Sequence, residues 1–151
     1  MEFDKTTQDA LKLIHEGNHI IFREVGRVCE KYHLNYFLDS GNLIGAVREK
    51  SDIPWDDDAD IAMTRKDFEV FRKVARTELK DGFVYVEPDE LNGAFYDFVP
   101  RVVMLDSTMR ENNAEQKYYG NGIHNHMRTD IFIVDDVSDN MLKTQIFVML
   151  Y

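Results

Sequence analysis

Cysteine, proline and basic residues are all scarce in this chain of 151 residues. Its single cysteine, Cys29, cannot form a disulfide within the chain, which indicates a reducing compartment. Asp and Glu number 28 against 18 Lys and Arg, and the formal net charge of −10 argues against attraction to nucleic acid or to an anionic membrane. A polyanionic ligand would therefore need a metal ion or a local basic patch between itself and the protein.

Long apolar segments are also missing. The longest apolar run, residues 146–151, is far shorter than the roughly 20 residues that span a bilayer. Residues 1–5 have neither the basic start nor the apolar core of a secretory signal. We therefore expect one cytoplasmic domain over residues 1–151 without stable membrane insertion. Its oligomeric state, and whether it lies at the inner face of the membrane, stay open.

The apolar periodicity predicts an α/β (α+β) fold. A buried stripe with spacings of three, four and seven predicts a helix over 7–32, with a kink or break at 16–18 left open. Strands are predicted at 35–39, 58–63, 83–86, 94–99, 101–105 and 126–134, further helices at 43–48, 64–79 and 140–151, and a loop at 107–122. Thr64 and Asp67 resemble a capping box at the start of the helix over 64–79.

Four aspartates crowd into five positions near the middle of the chain: Asp56, Asp57, Asp58 and Asp60. Carboxylates this close raise one another's proton affinity unless a cation compensates. On the predicted strand, Asp58 and Asp60 lie on one face, roughly 6.5 Å apart at Cα. Their oxygens predict a site for Mg²⁺, Mn²⁺ or Ca²⁺.

The rest of this acidic run admits other interpretations. Asp56 and Asp57 are interpreted as solvated or as holding the loop, with metal ligation as the alternative. Trp55 is interpreted as packing under the loop, with stacking on a base or an acceptor as the alternative. An EF-hand calcium loop is disfavoured, because Ile61 occupies the glycine position and Asp67 the position of the bidentate glutamate.

A glycine turn and a later aspartate extend the acidic pair. Gly41, on a predicted strand-to-helix turn, would present backbone N–H groups to an anion. Asp130 lies within a predicted strand, where burying an unpaired carboxylate is costly, so we interpret it as functional. A glycine turn, two carboxylates at i and i+2 and a third from a neighbouring strand are the parts of a polymerase-beta-like nucleotidyltransferase site.

Three motifs carry a closer resemblance: SGNLIGAVR at 40–48, IPWDDDADIAM at 53–63 and TDIF at 129–132. They resemble the LicD family, which includes bacterial phosphocholine transferases and, more distantly, fukutin-type ribitol-phosphate transferases. The resemblance implies a polymerase-beta-like nucleotidyltransferase fold with a mixed β-sheet flanked by helices. It also implies transfer of a phospho-alcohol from a CDP-alcohol donor to a sugar hydroxyl, with Mg²⁺ or Mn²⁺. The acceptor would be a precursor of lipopolysaccharide, teichoic acid or capsule.

The resemblance also implies roles for individual residues. Asp58 and Asp60 would be metal ligands, and Asp130 the third ligand or the base that takes the acceptor proton. The residues near the donor phosphates would be Gly41, Asn42 and Arg48. Two positions depart from the family pattern, since threonine is usual at Asn42 and proline at Ile133. Because members are usually longer, we expect this chain to lack a C-terminal region that helps to bind the acceptor.

The role of Arg48 stays open, and so do two alternative functions of the domain. Arg48 either contacts phosphate or forms a salt bridge with the acidic loop, whereas Arg101 is interpreted as structural. One alternative function is a true nucleotidyltransferase that transfers a nucleoside monophosphate to a small molecule or protein. The other is a catalytically inactive domain that binds metal, nucleotide or a partner.

Overall fold

The computed structural model of the protein describes residues 5–91, 99–107 and 126–136. The predicted helix at 140–151, nearly all of the predicted strand at 94–99 and most of the predicted loop at 107–122 lie outside these residues. None of the helices in the described part is long and apolar enough to cross a bilayer.

Helices and strands alternate along the described chain. The helices are α1 (Lys5–Tyr32), α2 (Ser40–Ile44) and α3 (Arg65–Glu78), with a π-helical turn at Gly45–Glu49 and a 3-10 turn at Pro88–Leu91. The strands are β1 (Phe37–Leu38), β2 (Asp60–Thr64), β3 (Phe83–Val86), β4 (Arg101–Met104) and β5 (Met127–Val134).

The strands form one mixed sheet in the order β1-β2-β5-β4-β3. β2 and β5 are adjacent and parallel, whereas the other neighbouring pairs are antiparallel. The register places Asp60 opposite Asp130 and Ile61 opposite Ile131. The prediction of a mixed β-sheet flanked by helices is confirmed, and the architecture is consistent with a nucleotidyltransferase-like fold.

The hydrophobic core lies between one face of this sheet and the helices α1 and α3. Its members share complete or nearly complete burial: Ile21, Val25 and Val28 on α1, Phe68, Phe71 and Ala75 on α3, and Ile61, Met63 and Ile131 on the strands. Each of the larger side chains contributes roughly 1.5–3 kcal/mol through burial. Because successive strand residues point to opposite faces, the burial of Ile61 and Ile131 turns Asp60 and Asp130 to the other face.

Several element boundaries differ from the sequence predictions. α1 is continuous through residues 16–18, and Gly17 is buried where a Cβ would overlap the end of the Met127 side chain. The helix predicted at 43–48 begins earlier, at Ser40, and continues as the π-helical turn. β2 begins at Asp60 rather than at Asp58.

The predicted cap of α3 is confirmed, and the single cysteine is buried. The Thr64 hydroxyl accepts a hydrogen bond from the Asp67 N–H at 3.3 Å, as expected for the cap of α3. Cys29 is buried in the core, and its burial raises the pKa of the thiol to about 12. A thiol in this environment is a small apolar packing group rather than a nucleophile.

Candidate functional site

Two aspartates face each other across the central parallel strands. Asp60 begins β2 and is the register partner of Asp130 on β5, so their side chains leave the same face of the sheet on strands about 4.8 Å apart. Burial is the largest cause that raises the pKa of Asp60 to about 6, and the neighbouring Asp130 charge is the second. A hydrogen bond from Ser40 acts in the opposite direction. Burial and the neighbouring negative charge therefore disfavour ionisation of Asp60, and a cation bound beside it would offset that cost.

Asp58 lies in the loop before β2, two residues ahead of the strand. Its carboxylate groups with those of Asp56 and Asp57, with one oxygen of each within 4.8 Å of the others. The residue is exposed, yet partial desolvation of its carboxyl is the main cause that raises the pKa of Asp58, followed by the charges of Asp57 and Asp56. Asp58 therefore belongs to the loop cluster, although its charge also raises the pKa of Asp60.

The structure thus brings the predicted carboxylates together in two neighbouring groups. Among the described residues, the compact set of three acidic groups is Asp56, Asp57 and Asp58, and the strand pair is Asp60 and Asp130. All of these donors are carboxylate oxygens, which suit hard divalent cations such as Mg²⁺ and Mn²⁺. The donor chemistry and the mutual repulsion both fit such a cation.

Two glycines bring this acidic loop close to α2 and the π-helical turn. A Cβ at Gly41 would overlap the Asp56 carboxylate. A Cβ at Gly45 would lie 2.6 Å from the Ser51 carbonyl oxygen and 3.1 Å from the Ile53 nitrogen. Glycine at both positions therefore leaves the space in which the loop packs. The contact of Gly41 with phosphate stays a prediction.

The other predicted binding residues have partners within the protein. The Asn42 Oδ1 accepts the Asp60 N–H at 2.6 Å, and its Nδ2 lies 3.5 Å from the Asp58 carbonyl oxygen. The Arg48 side chain is 56% exposed and pairs with Glu49 at 2.6 Å, not with the acidic loop. The prediction that Trp55 packs under the loop is wrong, since the residue is 60% exposed.

Arg101 lies against the third predicted ligand. Its side chain is 2% exposed, and its Nε lies 2.9 Å from Asp130 Oδ1 while its Nη2 donates to Oδ2 at 3.2 Å. Arg128 approaches the same carboxylate at 3.8 Å. The burial of Arg101 and its ion pair agree with the structural role predicted for it, and its partner is a predicted site residue. An arginine leading the apolar strand sequence RVVM is the signal that could have found it.

Two side chains of α1 also reach the acidic loop, and sequence reasoning missed both. The Asn18 Nδ2 donates to the Asp58 carbonyl at 3.2 Å, and the residue is 3% exposed. The His15 Nε2 lies 2.7 Å from the Asp56 carbonyl oxygen, and because a carbonyl only accepts, this nitrogen is the donor. For Asn18, the sequence signal was the seven-residue spacing between Ile14 and Ile21 in the apolar stripe. Asn18 lies within this spacing on the buried face of the helix.

The mixed sheet and its paired aspartates are consistent with the class of nucleotidyltransferase-like domains. A model of the family described as "LicD/FKTN/FKRP, nucleotidyltransferase domain" matches residues 33–149. Since this match covers well over half of the residues, the chain belongs to the LicD family.

Individual relatives match over shorter stretches. The chain is 31% identical over 110 residues to "Lipopolysaccharide cholinephosphotransferase LicD" of Haemophilus influenzae, covering 73% of this chain and 38% of that protein. It is 33% identical over 54 residues to an uncharacterised protein of Rickettsia typhi, covering 36% of this chain and 18% of the relative. It is 36% identical over 47 residues to an uncharacterised protein of Rickettsia prowazekii, covering 31% of this chain and 18% of that relative. The chain thus spans less than two fifths of the length of these curated relatives.

Proposed function

We propose that this domain transfers a phospho-alcohol group, such as phosphocholine, from a CDP-alcohol donor to a sugar hydroxyl of a cell-surface glycan precursor. The observation that carries the proposal is the register of β2 and β5, which pairs Asp60 with Asp130 on the same face of the sheet. The similarity to a lipopolysaccharide cholinephosphotransferase supports the transferred group and the acceptor class. The cytoplasmic location stays a prediction from the sequence.

Asp58, Asp60 and Asp130 would hold the Mg²⁺ or Mn²⁺ ion, and the carboxylates of Asp56 and Asp57 lie beside that of Asp58. Such an ion, when bound, supplies positive charge that offsets the charge on the donor phosphates during in-line displacement. The chain itself needs this cation as intermediary, because its net charge of −10 would otherwise repel a nucleotide donor.

For Asp130 we favour the role of ligand over that of base. Both of its oxygens face the Arg101 guanidinium, at 2.9 and 3.2 Å. Accepting the acceptor's proton would remove a negative charge from beside a buried cation, which is costly. As a ligand, Asp130 stays ionised and Arg101 fixes its orientation.

The three residues predicted near the donor phosphates would act in different ways. Arg48 is exposed and would exchange its Glu49 partner for a donor phosphate, and Gly41 keeps its predicted place near that phosphate. The Asn42 amide is engaged with the backbone of residues 58–60, so its contribution would pass through the acidic loop.

Product analysis tests this function. The protein is incubated with Mg²⁺, a panel of glycan acceptors and CDP-choline, CDP-ribitol or CTP, and nucleotide products are identified by mass spectrometry. We expect CMP from a CDP-alcohol, loss of that product in Asp60→Asn, and its retention in Asp9→Asn, which alters an exposed aspartate of α1. Pyrophosphate from CTP would indicate a true nucleotidyltransferase. No product with either Mg²⁺ or Mn²⁺ would indicate an inactive domain.

A further inference from the structure

We infer that Asn18 and Asn42 are positioning residues that hold the acidic loop in its cation-binding shape. This inference rests on the proposed function and adds to it two side chains that are not ligands. The two asparagines come from separate elements, α1 and α2, and both reach the backbone of residues 58–60.

Asn42 contacts this backbone at two points. Its Oδ1 accepts the Asp60 N–H at 2.6 Å, and its Nδ2 approaches the Asp58 carbonyl at 3.5 Å. One amide therefore spans the peptide segment that links the two predicted ligands. These two contacts fix the backbone at Asp58, near the end of the loop, and at Asp60, where β2 begins.

Asn18 supplies the second anchor, from the core side of the loop. Its Nδ2 donates to the Asp58 carbonyl at 3.2 Å, and the 3% exposure of Asn18 shields the donor end of the bond from water. The sheet does not use this carbonyl, because its ladder begins one residue later, where the Ala59 carbonyl accepts the Asp130 N–H at 2.8 Å. The two lone pairs of the Asp58 carbonyl are thus available for the two amides.

The side-chain amides of Asn18 and Asn42 carry no charge, which suits residues that support a cation site. Four aspartates in five positions repel one another, so the loop must be held by contacts other than those among its own side chains. A lysine or arginine in the place of either asparagine would compete with a metal ion for the carboxylates. Amide groups hold the backbone and leave the negative potential of the site intact.

A matched pair of variants at position 42 tests the inference. Asn42→Thr and Asn42→Val introduce side chains of the same shape, but only the threonine hydroxyl can accept the Asp60 N–H. The Mn²⁺ dissociation constant is measured by the electron paramagnetic resonance of free Mn²⁺, on variants whose folding is checked by circular dichroism. We expect Asn42→Val and Asn18→Leu to bind Mn²⁺ at least about tenfold more weakly than wild type. Asn42→Thr should stay within about threefold.

Asn35→Leu is the control, since Asn35 is exposed and its side chain contacts Asp67 on α3, at 3.5 Å, rather than the acidic loop. Wild-type affinity in folded Asn42→Val overturns the inference, as does wild-type affinity in Asn18→Leu if Asn42→Val does not fold. If wild type itself binds no Mn²⁺, the metal part of the proposed function fails and the positioning role fails with it. If wild type binds Mn²⁺ and the Asn18 and Asn42 variants bind it equally well, only the positioning role is overturned.

Discussion

Replacing Asp60 by asparagine is expected to stabilise the metal-free protein at neutral pH. Burial, and then the charge of Asp130, raise the pKa of Asp60 from 3.8 to about 6 in the folded state. A raised carboxyl pKa means that ionisation favours unfolding, so the cost is absent well below pH 4 and complete above about pH 7. Asparagine keeps the shape of the aspartate side chain and cannot ionise, so the substitution removes this cost.

The size of this effect follows from the pKa difference. Two pKa units correspond to about 3 kcal/mol in the free energy of unfolding. Asp60 is only partly buried, and screening by solvent reduces this to about 1.5 kcal/mol. Asp60→Asn should therefore exceed wild type by about 1.5 kcal/mol at pH 7.5 and by clearly less at pH 4.

Urea unfolding in EDTA at several pH values between about 4 and 8 measures this difference. Asp9→Asn, with the same chemical change on an exposed part of α1, should show no comparable pH dependence. Saturating Mn²⁺ should then reverse the order, because only wild type gains stability from a bound ion. Two results would contradict the raised pKa of Asp60. One is a difference in the free energy of unfolding between variant and wild type that does not change with pH. The other is an Asp60→Asn variant that is less stable than wild type at pH 7.5 in EDTA.

Two further predictions concern the surroundings of the site, and a third concerns the buried Glu24 of α1. Gly45→Ala should lower stability by about 1–3 kcal/mol in thermal unfolding, because the new methyl would lie 2.6 Å from loop backbone. Arg101→Met should cost about 3 kcal/mol in urea unfolding by leaving the Asp130 charge without this cation, and a second change, Asp130→Leu, should recover part of the loss. Burial raises the pKa of Glu24, but hydrogen bonds from Arg27 and the Lys80 N–H outweigh it and the net shift is downward. Glu24→Gln should therefore destabilise the protein at pH 7 and lose this effect as the pH falls through the carboxyl's folded-state pKa, which urea unfolding at several pH values would follow.

Local patterns were sufficient to predict much of the fold. Short apolar runs in β2 and β5 predicted strands, and the capping box predicted the start of α3. The face on which Asp60 and Asp130 lie follows from the burial of Ile61 and Ile131. Their exact pairing could not be predicted, because register depends on contacts between strands about 70 residues apart in the chain.

The environment of the carboxylates was harder to predict for a similar reason. Asp58 lies in the loop before β2, where amides from Asn18 and Asn42, 40 and 16 residues earlier, approach its carbonyl. Arg101 meets Asp130 across 29 residues. Side chains that act through such distant partners leave only indirect signals in a single sequence, such as an asparagine in an apolar stripe or an arginine at the head of an apolar strand.

The most direct test of the account is to locate Mn²⁺ by anomalous diffraction in crystals of the protein grown with the ion. We predict an ion bound by carboxylate oxygens from both strands, Asp60 on β2 and Asp130 on β5, with Asp58 completing the protein ligands. An ion held by Asp56 and Asp57 alone, or no ion at millimolar Mn²⁺, would contradict it.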